Sequence, residues 1–152
     1  MPRAETRRFH LLARGVVVRD RGLLIAHFQG ADHTFLPGGH VEMGESVPSA
    51  LRREFTEELR IEVRIGRYLG AIEHGWTTED TQHFEINHCF EVMVPSAWGT
   101  TPPASYARNL EFLWAPVHDL KAHNLQPVLL WTLVPRWVDG DRSPWWGSTL
   151  PT

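Results

Sequence analysis

Gly38-Gly39-His40-Val41-Glu42-Met43-Gly44-Glu45, followed by Arg52-Arg53-Glu54-Phe55-Thr56-Glu57-Glu58-Leu59, is the stretch around which the rest of the chain is organised. It reads as a glycine turn, a short extended bridge and an acidic helix. Ser46 is suited to cap the helix. Pro48 is suited to its first turn, where the amide that proline lacks would have no partner anyway. Val47, Leu51, Phe55 and Leu59 recur at i+4 and form one apolar stripe, which predicts a helix from Val47 to about Leu59 with that stripe buried. Glu54 and Glu58 fall beside the stripe and Glu57 one step further round, so three carboxylates crowd one side. Each i,i+3 or i,i+4 pair of them repels by a few tenths of a kcal/mol on an exposed helix, and by more when partly buried. Arg53 projects to the far flank of Glu57 and Arg52 points past the stripe, so neither fully answers the crowding. A hard divalent cation, which takes oxygen ligands, answers it better, and a glycine turn lets a backbone carbonyl approach such an ion. Alone, an acidic helix is more often a solvated face and Gly-Gly an ordinary turn. Their joint spacing changes the balance.

That spacing resembles the signature of the Nudix hydrolases: Gly, five residues, Glu, seven residues, Arg-Glu, a hydrophobic residue, any residue, Glu-Glu, any residue, Gly, hydrophobic. Gly39, Glu45, Arg53-Glu54, Phe55, Glu57-Glu58 and Ile61 occupy the matching positions. Arg60 stands where the pattern has its second glycine, which puts the C-terminal turn of the helix in question more than the acidic residues. The resemblance implies an α/β fold, a Nudix-like α/β/α sandwich with a mixed β-sheet, and a signature loop and helix that carry Mg²⁺ or Mn²⁺. It also implies attack of water on phosphorus in a nucleoside diphosphate linked to another group: a nucleoside triphosphate, nucleotide sugar, ADP-ribose or dinucleoside polyphosphate.

The chain has 152 residues, 42% of them hydrophobic, enough for one sizeable core, and residues 1–152 are expected to form a single domain. The formal charge of -3 offers no general nucleic-acid surface, so no stable nucleic-acid partner is expected. Cys89 has no second cysteine to pair with, which suits a reducing compartment, and its place in an apolar run makes it a core residue. No run is long enough for a membrane span, and a cytoplasmic protein without membrane association is the expectation.

Strands are predicted at Phe9 to Arg19, Leu23 to Phe28, Ile61 to Glu73, His83 to Val94 and Leu110 to Trp114, with a short extended piece at Thr34 to Leu36. A polar loop is expected at His74 to Asp80, a helix from Gln126 to Val134 with Pro127 in its first turn, and an irregular tail from about Trp137. The tail's Trp145-Trp146 could close on its own domain or on a second copy in a homodimer.

By the same resemblance, Glu54, Glu57 and Glu58 are candidate metal ligands with the Gly38 carbonyl as a fourth, and Glu54 is the favoured candidate among them for the base that activates water. Arg53 and Glu45 are expected to hold the ligands in place, an arginine fork being able to fix two carboxylates. Glu111 and, slightly behind it, Glu85 are candidates for an additional ligand or base. His27, His40 and His83 could reach substrate, and Trp76 and Phe28 could stack on a base. The competing account is a Nudix-like fold that binds nucleotides with little or no hydrolysis.

Overall fold

The computed structural model describes residues 6–99 and 101–151. Five strands precede the first helix: β1 (Thr6–Val16), β2 (Val18–Arg19), β3 (Gly22–Phe28), β4 (Thr34–Phe35) and β5 (Gly38–His40). Then come α1 (Val47–Leu59), β6 (Arg64–Thr78), β7 (Thr81–Met93), β8 (Leu110–Pro116), β9 (Leu125–Gln126), α2 (Leu130–Val138) and β10 (Trp145–Ser148), with single 3-10 turns at Ser96–Trp98 and Leu120–His123.

One sheet runs β10-β6-β7-β1-β5 and is mixed: β7 pairs parallel with β1 and β10 with β6, while β6–β7 and β1–β5 are antiparallel. In the second sheet β3 is flanked by β8 on one side and by β2 and β4 on the other, and β9 lies parallel to β4. Side chains alternate across a strand, so β3 feeds two cores. Leu24 and Ala26 pack with Leu51 and Phe55 of α1, whereas Leu23 and Ile25 pack with Leu130 and Val134 of α2. The two helices thus cover opposite sides of the strands, giving the α/β/α sandwich.

Helix α1 begins where its sequence says. Ser46 Oγ accepts from Ser49 N–H at 3.2 Å, and Leu51, Phe55 and Leu59 are buried. Three other expectations need correction. The segment 74–80 is mostly strand, because β6 continues to Thr78 and pairs with β7 up to Thr78–Thr81, leaving only Glu79-Asp80 as the turn. The second helix starts at Leu130, not Gln126, because Gln126 is held extended against Phe35 of β4. The tail is not irregular: α2 runs on to Val138, and Trp145–Ser148 adds a parallel strand to β6. Trp145 is 5% exposed and belongs to the α2-side core. The close approach needs Gly70 opposite, where a Cβ would lie 2.1 Å from the Trp145 carbonyl oxygen. Thr149 Oγ1 then hydrogen-bonds His74 Nδ1 at 2.7 Å and accepts from Gly75 N–H at 3.2 Å.

Candidate active site

Arg53 is the hub of the signature helix. Its Nε and one terminal nitrogen form a fork on Glu45 at 3.0 and 2.8 Å, and the same terminal nitrogen donates to the His40 carbonyl at 3.0 Å. The other terminal nitrogen reaches Glu54 at 3.0 Å and Glu57 at 3.4 Å. So Arg53 does more than its helical position suggested, because the loop folds back to meet it. Glu45 also accepts from the Glu42 amide at 2.9 Å. The Arg53 bonds, then that amide, hold its carboxyl down at about 2. Glu42 itself faces solvent, 71% exposed, at the edge of Arg53's reach.

Glu54 is 14% exposed and Glu57 59%, so the three signature carboxylates do not share one environment. Glu54 and Glu58 line a cleft of about 670 Å³, while Glu57 is not part of that lining and lies beside Arg53. Burial first, and Glu54 next, push the Glu58 carboxyl up to about 8. Gly39 makes the packing feasible: a Cβ there would lie 2.6 Å from the Glu54 carboxylate. Gly15 N–H donates to Pro37 and Val41 N–H to Leu11 across the β1–β5 pair. The two-residue period of antiparallel bonding assigns Gly39 to the same bonded set, so the Gly38 and His40 carbonyls face away from β1.

Among the described residues no three His, Cys, Asp or Glu side chains converge as a ready-made cage. The donor chemistry nonetheless fits a hard divalent cation. Two neighbouring carboxylates, Glu58 raised by burial and Glu54 set beneath a glycine whose Cβ would displace it, form an oxygen site in which a cation can replace the proton on Glu58.

The cleft floor holds residues that the sequence reading passed over. Arg14 of β1 donates from Nε to Asn87 Oδ1 at 3.3 Å and from Nη1 to the Leu36 carbonyl at 3.0 Å, with its guanidinium 5.3 Å from the Phe35 ring centre. Asn87 in turn donates to Glu85 Oε1 at 3.1 Å. Their signal was an arginine inside an apolar strand, Leu11-Leu12-Ala13-Arg14-Gly15-Val16. Glu85 lines the cleft. Glu111 is not part of that lining and pairs with His27 at 2.7 Å, where β3 and β8 lie side by side.

One wall is made of rings from four strands. His10 bridges His40 at 2.8 Å and His83 at 2.9 Å, and Trp76 stacks on His83 with centroids 4.7 Å apart. His40, His74 and Trp76 line the cleft on this side, and Phe28 and Phe35 face it from the second sheet. His88 lies apart, bonded to Tyr68.

A family model, the NUDIX domain, matches residues 9–135. The chain belongs to the NUDIX family. Members of this family are pyrophosphohydrolases that generally use divalent metal cations. A curated relative, the low-salt glycan biosynthesis protein Agl8 of Haloferax volcanii, is 32% identical over 92 residues, 55% of this chain, and the chain spans 59% of that protein. Solved structures with the same fold include the E. coli ORF135 protein (TM-score 0.62, 21% identity, 90% of this chain and 96% of that one) and a UDP-X diphosphatase (TM-score 0.63, 16% identity, 96% and 70%). The MutT protein of Bacillus halodurans is similar at TM-score 0.63 and 17% identity, covering 91% and 88%. At these identities the structures establish the NUDIX fold.

Proposed function

We propose that this NUDIX chain hydrolyses a phosphoanhydride bond in a nucleoside diphosphate-linked compound, with a divalent cation held at Glu54, Glu58 and the Gly38 carbonyl and with Glu57 reaching in from the rim. The observation that carries this reading is the Glu54–Glu58 pair packed under Gly39 at the cleft wall, with Arg53 fixing Glu54 to Glu45. A bound Mg²⁺ or Mn²⁺ would neutralise pyrophosphate oxygens and acidify a water.

The chain's own groups do the rest. Arg53 keeps Glu54 aimed, and Glu45 keeps Arg53 in one orientation, so the carboxylate loses little motional freedom when substrate arrives. Glu54, the better shielded of the two carboxylates bonded to Arg53's outer nitrogen, is the group proposed to accept a proton from the attacking water. Of the two reserve carboxylates, only Glu85 has access to the cleft. The buried Cys89 thiol, pushed up to about 12 by burial, is inert, which suits a cytoplasmic protein.

A product-resolved panel of nucleotides with Mg²⁺ and Mn²⁺ tests the proposal. Metal-stimulated release of phosphate or nucleoside monophosphate is expected. Glu57→Gln should lower turnover far more than it lowers the melting temperature, and equal activity in parent and variant would remove Glu57 from the ligand set. Tight nucleotide binding without metal-stimulated release would favour a non-hydrolysing module instead.

A further inference from the structure

At the floor of the cleft, Arg14 and Glu85 each keep one polar atom unused. Arg14 commits Nε to Asn87 and Nη1 to Leu36, and among the described residues Nη2 has no hydrogen-bond partner. Glu85, 9% exposed, accepts from Asn87 at Oε1, and among the described residues its Oε2 has no partner. Among the described residues, no side-chain nitrogen or oxygen is both unpaired and sealed from solvent, so both atoms must open outward. Both residues line the cleft; Arg14 also borders a void of about 10 Å³, too small for a ligand, so the cleft is the opening that a ligand can share with both.

Asn87 sets their relation. Its Oδ1 takes Arg14 and its Nδ2 is divided between Glu85 Oε1 and the Ile72 carbonyl at 3.3 Å, so the amide cannot turn over without losing these bonds. The result is a rigid strip with one cationic donor and one anionic acceptor. Arg14 has no carboxylate within ion-pairing distance among the described residues, although Glu85, Glu58 and Glu54 all act on its charge. Such a half-buried guanidinium is suited to a ligand phosphate. Glu85 imposes the opposite demand, because a phosphate oxygen beside it would be repelled, whereas a hydroxyl would donate to it.

We propose that Arg14, Asn87 and Glu85 form a subsite for a phosphate that carries a hydroxyl-bearing sugar, with the phosphate on Arg14 Nη2 and a sugar hydroxyl on Glu85 Oε2. The inference rests on the diphosphate-hydrolase reading of the same cleft and says which end of the substrate lies on its floor: a phosphate that bears a sugar, not a bare terminal phosphate. A ribosyl and a hexosyl group share this chemistry, and binding distinguishes them.

Metal-free NMR titrations into the millimolar range with ribose 5-phosphate, α-D-glucose 1-phosphate and methyl phosphate are the test, since all three are phosphate monoesters and only the first two bear sugar hydroxyls. One or both sugar phosphates should bind about 10-fold or more tighter than methyl phosphate, the scale of one hydrogen bond to a charged group. Glu85→Leu removes the acceptor without adding a donor, leaves Asn87 its bond to the Ile72 carbonyl, and should collapse that preference while leaving methyl phosphate binding unchanged or improved. Arg14→Lys, which loses the fork, should weaken all three alike; thermal melts confirm that each variant is folded. Equal affinities in the parent, or a Glu85→Leu variant that keeps the preference, would overturn the subsite. These solutions contain neither metal nor an anhydride bond. Failure here therefore leaves hydrolysis standing, and a failed hydrolysis panel leaves this binding result intact.

Discussion

A single methyl group at Gly39 would bring a carbon within 2.6 Å of the Glu54 carboxylate and force it off its Arg53 contact. Gly39→Ala should therefore reduce turnover by about 100-fold or more, the cost of displacing a group whose position the chemistry needs. Its unfolding midpoint should move much less than its rate, and comparing the two measurements checks the point. Glu58 offers a test through pH. Folding raises its carboxyl from an ordinary 4.5 to about 8, so the folded protein binds that proton more tightly than the unfolded chain. The associated stability is complete below about pH 4.5 and is lost as pH rises through about 8. In EDTA, the melting temperature of Glu58→Gln relative to the parent should climb across that window and level off above it. Adding Mn²⁺ should close or reverse the gap, because the cation replaces the proton in the parent only. At this scale the sequence was uneven: Glu54 and Glu58 were legible from helical spacing, but Arg14 and Asn87 gain meaning only when β1 and β7 are laid side by side.

Helix α1 ends on Arg60 in the left-handed region, φ 53° and ψ 38°, with its N–H bonded to the Thr56 carbonyl at 3.1 Å. The arginine therefore performs the turn for which the family pattern uses glycine. Two contacts offset its strain: its guanidinium lies 5.1 Å from the Tyr106 ring centre, and the Tyr106 amide closes the helix end on the Glu58 carbonyl at 2.8 Å. Arg60→Ala should lose the ring contact and keep the strain, whereas Arg60→Gly loses the contact and relieves it. Glycine should thus exceed alanine here by about 1 kcal/mol in denaturant unfolding, the reverse of their order inside a helix. The strand elements were less legible. Polar Thr77, Thr78 and His74 made 74–80 read as a loop, but β7 supplies backbone partners that composition does not reveal.

Across the whole molecule, the end of the chain is part of the architecture. Trp145 is buried and Trp146, its neighbour, is 65% exposed, as alternation along β10 requires. Trp145→Ala should cost about 3–5 kcal/mol in unfolding free energy, and Trp146→Ala less than about 0.5. Equal effects would mean that β10 does not close the core. The same strand leads to Thr149, which ties down His74 at the cleft wall, so loss of Trp145 should also weaken ligand binding.

The signature helix, its cap, its buried stripe and its acidic side follow from local spacing, because residues three and four apart meet on a helix whatever surrounds it. The family could be named on that basis. The destinations of Arg53, the separation of Glu57 from Glu54 and Glu58, the placing of Glu85 but not Glu111 at the cleft and the burial of Trp145 were decided by the tertiary structure. Each depends on which strands lie next to each other, and such pairings join residues tens of positions apart that no local pattern connects.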